Sequence, residues 1–259
     1  MAALTLEHLS VGYTHNRHNV PIMGVINAEL AGGELVALIG ANGAGKSTLL
    51  RTLSGFMPPL GGSITYPDGK PGIRTASELS TQLSVVLTGN GNIHGLTVRE
   101  VVALGRTPYT GFLGRRRRHD DDIVERAMEQ VNISHLAHRR IDALSDGERQ
   151  KAMIAKALTQ ETPVMILDEP TAFLDFGSRV ELFRLLQKSA HHDGKAVLVS
   201  THDIELALQL ADKLWLIHQR CLYSGSVDEL VDNGIFQKFI EADGIHYNIN
   251  EKKIEISSL

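Results

Sequence analysis

The sequence predicts an α/β fold built on a mostly parallel sheet with helices on both faces. Three observations point there. Short, continuously apolar runs such as Glu34-Leu-Val-Ala-Leu-Ile39 and Val164-Met-Ile-Leu167 read as strands buried on both faces. Helical periodicities alternate with them through most of the chain. Dense Gly and Pro punctuation is concentrated between Gly61 and Thr81, where short hairpins and loops are expected. A chain of 259 residues can bury roughly 70–75% of its unfolded surface without disulfides.

Taken in order, Leu4-Thr-Leu-Glu-His-Leu9 alternates apolar and polar residues as a half-buried strand does. Strands follow at Val25–Leu30 and Glu34–Ile39, so residues 1–39 read as strands and turns. Lys46–Ser54 is helical, with Gly55 as its cap and Pro58-Pro59 beyond. Leu83–Leu87 is a strand, and Thr97 to about His138 forms an all-helical insert. Next come a helix beginning at Ser145, the strand Val164–Leu167, a helix from about Ser178 to Ala190, the strand Ala196–Ser200 and a helix from Asp203 to Leu210. In the tail, a hairpin is expected in which Tyr247-Asn-Ile and Ile254-Glu-Ile flank Asn250–Lys253, and a packed edge is the plainest reading of residues 221–259.

Composition excludes several classes. With 26 Lys and Arg against 30 Asp and Glu, the net charge is -4, against a general nucleic-acid binder, which needs clustered excess cations. The four arginines Arg115–Arg118 face three aspartates, Asp120–Asp122, and read as a solvated, balanced loop. Cys221 is the single cysteine and fits a reducing compartment. No apolar run approaches the eighteen or so residues needed to cross a bilayer, and Met1-Ala-Ala-Leu-Thr-Leu-Glu-His carries no basic leader. The chain is therefore expected neither to span a membrane nor to be exported.

The strongest chemical signal is Gly40-Ala-Asn42-Gly43-Ala44-Gly45-Lys46-Ser47, followed by Thr48, between a buried strand and a helix. It matches the phosphate-binding loop pattern in full, which a chain of this length does by chance on the order of 1% of the time. Glycines let successive amide N–H groups curl inward on a β-phosphate, and the helix N-terminus adds its positive dipole end. Lys46 then neutralises β and γ oxygens, and the Ser47 hydroxyl ligates magnesium. The plainer reading, a glycine-rich turn that binds nothing, leaves the second signal unexplained. That signal is Asp168-Glu169 at the end of an apolar strand, where ligands bind in open α/β folds. Asp168 suits the metal and its waters, and Glu169, one residue on, suits a general base for a hydrolytic water.

Leu144-Ser145-Asp146-Gly147-Glu148-Arg149-Gln150 stands before a helix, roughly twenty residues ahead of that strand end. It closely resembles the signature of ATP-binding cassette (ABC) proteins, usually Leu-Ser-Gly-Gly-Gln. Glu169-Pro-Thr-Ala-Phe-Leu-Asp175 resembles the family's following loop, and His202, after Ala196–Thr201, resembles its switch histidine. The four ordered motifs cover residues 40–202. The resemblance implies a phosphate-loop NTPase core with an N-terminal antiparallel β-subdomain, ATP and Mg2+ as cofactors, and catalysis by Glu169 and His202. It further implies that Ser145, Gly147 and Glu148 cover the γ-phosphate held by a second copy. Ser145 also reads as a helix N-cap, with Glu148 closing a capping box. Tyr13 resembles the aromatic that stacks on adenine, although a lone tyrosine near a strand end is more often packing. The family's glutamine after the strand Leu83–Leu87 is replaced here by Thr88, whose hydroxyl could reach a metal-bound water across a shorter span; Gln82 lies at the strand's other end.

Leu104-Gly-Arg-Thr-Pro-Tyr109, together with the signature, resembles the ATPase subunits of importers for iron-siderophore complexes, haem and cobalamin. That implies a homodimer beneath two transmembrane permease subunits, peripheral on the cytoplasmic face of the cell membrane and fed indirectly by an external substrate-binding protein. One nucleotide-binding domain, 1–259, is expected, with core and β-subdomain at 1–87 and 160–220, the helical insert with the signature at 88–159, and a C-terminal extension at 221–259. A soluble single-cassette ATPase, such as one that assembles iron–sulfur clusters, also fits this length; co-purification with hydrophobic membrane subunits separates the two. A nucleotide-binding module without hydrolysis is a weaker alternative, because both Glu169 and His202 are present.

Overall fold

The computed structural model describes residues 2–16, 18–88, 93–110, 117–240, 245–248 and 253–256. The alternating opening segment forms β1 (Ala2–Ser10), followed by a small hairpin, β2 (Gly12–His15) and β3 (His18–Pro21). The hairpin was not foreseen, because β3 is exposed along its whole length and carries no hydrophobic alternation. β4 (Ile26–Ala31) leads to β5 (Leu35–Gly40), the buried run. α1 (Lys46–Leu53) ends with Ser54 as its cap and Gly55 one position beyond, at φ 73°. The N–H groups of Phe56 and Gly55 return to the carbonyls of Arg51 and Thr52, the Schellman closure.

Between Gly61 and Thr81 the structure is more regular than loops and hairpins. β6 (Gly61–Thr65) pairs antiparallel with β1, and α2 (Ala76–Leu79) forms one helical turn. β7 (Leu83–Val86) follows, then α3 (Val98–Ala103), a 3₁₀ segment over Leu104–Tyr109, and α4 (Arg118–Gln130). α5 (Asp146–Thr159) is N-capped by Ser145 as its sequence indicates, and β8 (Val164–Asp168) comes next. α6 (Phe176–His191) begins two residues earlier than expected because Asp175 caps it. β9 (Ala196–Ser200) and α7 (Ile204–Leu210) precede β10 (Lys213–His218), a buried strand missed in the sequence although Leu214-Trp-Leu-Ile217 is continuously apolar. β11 (Cys221–Gly225), α8 (Val227–Asp232), α9 (Ile235–Ile240), β12 (Ile245–Asn248) and β13 (Lys253–Ile256) complete the described chain. β12 and β13 pair antiparallel as expected; the turn at 249–252, Arg115 and Arg116 lie outside the described residues.

The main sheet runs β11-β10-β5-β9-β8-β7. All its pairs are parallel except β10–β11. The boundary expected at 220/221 falls inside that antiparallel hairpin, so the sheet continues to Gly225. Strand alternation divides the interior into two cores. Leu35, Ala37 and Ile39 of β5, with Met165 and Leu167 of β8, face the helices of the insert and of the second half. Val36 and Leu38, with Val164 and Ile166, face α1 and the antiparallel sheet β4-β1-β6. Each fully buried Leu, Val or Ile side chain contributes about 1.5–3 kcal/mol. The sheet is thus fixed from both sides, and its strand ends are rigid supports.

In the insert, Arg106 is buried, with Nε 2.9 Å from the equally buried Asp120. Its Nη1 donates to the Thr159 carbonyl and to Glu161, each at 2.8 Å, and the guanidinium lies 4.3 Å from the Tyr109 ring centre. Asp120 is therefore an interior partner of Arg106, not a surface charge balancing the arginine run. The backbone N–H of Arg117 together with Arg106 holds its carboxyl below the ordinary aspartate range. This cluster ties the insert to the C-terminal end of α5.

Candidate functional site

β5, β7, β8 and β9 are parallel, so their carboxyl ends share one edge of the sheet, the place where such folds bind ligands. The loop leaving β5 turns at Gly43 and Gly45, with φ of 76° and 102°, a region L side chains rarely adopt. Asn42 and Ala44 lie in that turn, and Ser47 and Thr48 in the first turn of α1. Lys46 is buried, and its Nζ donates to the Gly40 and Ala41 carbonyls at 2.8 and 3.3 Å. Burial lowers its pKa from the ordinary lysine value, while the charges of Glu169 and Asp168 pull it the other way. On the β2–β3 hairpin, the Tyr13 hydroxyl is 3.0 Å from Thr48 Oγ1, and the ring is half exposed.

Asp168 ends β8 almost fully buried. Thr88, just past β7, donates its hydroxyl to Asp168 Oδ2 at 2.9 Å. Ser200 donates to Asp168 Oδ1 at 2.7 Å. Glu169 follows with φ 48°, a left-handed conformation that costs a non-glycine residue of order 1–3 kcal/mol. Its N–H bonds the Ser200 hydroxyl at 2.9 Å and the Ser200 carbonyl at 3.2 Å. Its Oε1 lies 2.7 Å from His202 Nε2; since a carboxylate only accepts, that nitrogen carries the proton. His202, expected to face a phosphate and a water, is thus turned onto Glu169. Both line an open groove of about 740 Å³, with Thr171, Phe176, Asp203 and Ile254. Ile254 brings the C-terminal hairpin to the rim, a placement no local signal reveals.

The signature lies on a different element. Ser145 and Glu148 form a reciprocal capping box: the Ser145 N–H and hydroxyl donate to Glu148 Oε2 at 2.9 and 2.8 Å, and the Glu148 N–H returns to Ser145 Oγ at 3.3 Å. Those two donors hold the Glu148 carboxyl below the ordinary range. Asp146 turns along the helix to Arg149 at 3.3 Å, away from the helix start. Gly147 abuts the loop after Glu169, since a Cβ there would sit 2.9 Å from the Phe173 carbonyl oxygen. Asp175 closes that loop by accepting the Ser178 N–H at 2.8 Å, a bond that lowers its pKa. The structure therefore gathers Lys46, Thr88, Asp168, Glu169 and His202 at one strand edge. Ser145, Gly147 and Glu148 lie at the start of α5, where Ser145 and Glu148 bond each other and Gly147 meets the loop after Glu169. Sequence reasoning missed Ser200, whose only local signal is a hydroxyl closing the apolar run Ala196–Val199.

A phosphate loop, a buried strand-end carboxylate and an adjacent Glu–His pair define a nucleotide-binding α/β protein. The comparisons make this specific. The ABC transporter family model matches residues 23–172. The chain is 39% identical over 246 residues to an uncharacterized ABC transporter ATP-binding protein of Methanocaldococcus jannaschii, covering 95% of this chain and 83% of that protein. It is 34% identical to the probable siderophore transport system ATP-binding protein YusV of Bacillus subtilis, over 92% of this chain and 85% of that one. With the ferric enterobactin transport ATP-binding protein FepC of Escherichia coli it shares 35%, over 92% and 87%. Among solved structures, an ATP-binding subunit of an ABC transporter superposes with a TM-score of 0.76 at 26% identity, over 89% of this chain and 92% of that one. A dimeric cassette bound to ADP and Pi shares the fold at TM-score 0.77 and 23% identity, over 86% and 98%. The chain belongs to the ABC transporter family, and it is an ATPase.

Proposed function

We propose that the chain is the ATP-hydrolysing subunit of an ABC importer, energising uptake of an iron-siderophore complex, haem or cobalamin through two transmembrane permease subunits supplied by an external binding protein. The relatives named for siderophore and enterobactin transport support this reading, as do two named for cobalamin import. No helix of the described residues is long and apolar enough to cross a membrane; in this reading the permeases hold the chain peripherally on the cytoplasmic face.

The observation that carries hydrolysis is Glu169 Oε1 at 2.7 Å from His202 Nε2, directly beyond Asp168. Glu169 takes the proton of the attacking water, and His202 orients the carboxylate that receives it. Lys46 and the N–H groups at the end of the phosphate loop and the start of α1 hold the β and γ phosphates, and Tyr13 offers its exposed ring to the adenine. Among the described residues no cluster of three His, Cys, Asp or Glu could hold a metal alone. The set Ser47 plus Asp168 suits Mg2+, which takes one or two carboxylates and fills its other positions with phosphate oxygens and water. When bound it neutralises charge on the β and γ oxygens.

Ser145 and Gly147 serve a second copy. Ser145 is bonded only within its own turn, and Phe173, whose carbonyl meets Gly147, leaves its ring exposed. A head-to-tail homodimer would cover both. Glu169→Gln tests the reading: ATP binding and dimerisation persist, and turnover falls at least about a hundredfold, the scale of a lost general base. Parental ATPase activity in that variant would remove Glu169 from the role.

A further inference from the structure

We propose that Ser200 is a positioning residue for hydrolysis, setting both acidic residues at the end of β8 through one hydroxyl, with Thr88 completing the grip on Asp168. The proposal rests on the reading of Asp168 as the metal-facing carboxylate and Glu169 as the base.

Ser200 is fully buried, and its hydroxyl is used in both directions. It accepts the Glu169 N–H at 2.9 Å and donates to Asp168 Oδ1 at 2.7 Å. The order is dictated by chemistry: an amide N–H only donates and a carboxylate only accepts, so the single serine proton belongs to Asp168. Amide, hydroxyl and carboxylate then polarise one another along a short chain. The register of the sheet places Asp168 opposite Ser200, so the contact does not depend on a mobile loop. The bond to the Glu169 N–H holds that residue in its left-handed conformation, which carries the carboxylate toward His202. The Thr88 hydroxyl takes the other oxygen of Asp168 at 2.9 Å, leaving the carboxylate little rotational freedom. Just past β9, Thr201 Oγ1 accepts the Asp203 N–H at 3.0 Å and shapes the turn that presents His202. One strand end thereby sets three functional side chains.

The test compares Ser200→Ala, Ser200→Thr and Thr88→Val with the parent, in the full-length protein. Four quantities are measured: kcat, ATP affinity in EDTA, the Mg2+ concentration for half-maximal activity, and Mn2+ affinity by EPR with a non-hydrolysable ATP analogue. Ser200→Ala is expected to lose about 10–100-fold in kcat and to weaken Mn2+ binding by a similar factor, the range found when partners of metal ligands are removed. Its ATP affinity in EDTA stays parental. Ser200→Thr, which keeps the hydroxyl, restores both values, and Thr88→Val shows a smaller loss in the same direction. Parental kcat and Mn2+ affinity in both hydroxyl-deleting variants overturn the proposal, as does a lowered melting temperature with no change in either. Glu169→Gln in the same assays separates the two readings: if it hydrolyses ATP normally, the base assignment fails, while the Mn2+ measurement still reports on Ser200.

Discussion

The strand-end half of the candidate site and the signature half are built in opposite ways. Lys46, Asp168 and Ser200 are buried; Lys46 donates to the Gly40 carbonyl at the end of β5, and Ser200 donates to Asp168 across the strand pair. Ser145 and Asp146 are exposed at a helix start, and Ser145 is satisfied only by its own turn. Burial on one side preorganises groups that must not move during a reaction. Exposure on the other leaves a helix dipole and its first N–H groups open to something that arrives from outside. The asymmetry fits the site divided between two copies that is proposed above.

The two halves separate by mutation. On the phosphate-binding role proposed for Lys46, Lys46→Ala strikes the strand half hardest: losing charge-assisted bonds to two phosphates is expected to lower ATP affinity at least about a hundredfold, measured by calorimetry, and hydrolysis goes with it. Gly147→Val should leave ATP affinity of the isolated chain intact while kcat drops about a hundredfold, because its Cβ would sit 2.9 Å from the Phe173 carbonyl and shift the helix start proposed to cover the second copy's nucleotide. Equal losses of binding and turnover in that variant would erase the distinction between halves. Ser145→Ala removes the cap of α5 and lowers the thermal midpoint by about 2–4 °C; a larger proportional loss of turnover marks the hydroxyl as phosphate-facing.

The smallest effect lies just upstream, where Arg140 bonds Asp142 at 2.8 Å and holds its carboxyl at about 2. A depressed carboxyl contributes stability above its ordinary value of 3.8, and that contribution is lost as pH falls through about 2. Melts of Arg140→Met and the parent should therefore differ slightly at neutral pH and converge in that acid window. The Arg140 side chain is 61% exposed and the Asp142 side chain 25%, so solvent screens the pair and the gap is small.

Much of this was readable because it is local. Strand, turn and helix signals bracket the phosphate loop within a dozen residues, and the serine and glutamate of a capping box are three positions apart, so both could be placed from spacing alone. Thr88 stands just past β7 as expected, but its hydroxyl bonds Asp168, a partner the sequence did not indicate. The Arg106–Asp120 pair was not legible, since two charges fourteen residues apart look solvated until the fold buries them. Ser200 was missed for the same reason: its meaning comes from a residue 32 positions away across a strand pair. The β2–β3 hairpin lacks hydrophobic alternation, and the approach of Ile254 to the groove depends on the whole second half packing first.

Pairing in β8 and β9 runs residue by residue from Val164 with Ala196 to Asp168 with Ser200. Side chains alternate faces along a strand, so sliding β9 by one position would put Val199 or Thr201 opposite Asp168 and aim the serine hydroxyl into the other core. The alignment of the polar groups is thus inherited from apolar residues that approach no nucleotide. Tolerance to mutation in this enzyme should accordingly be narrowest in its greasiest strands, where an ill-fitting methyl group can silence the reaction with every polar residue still in the sequence.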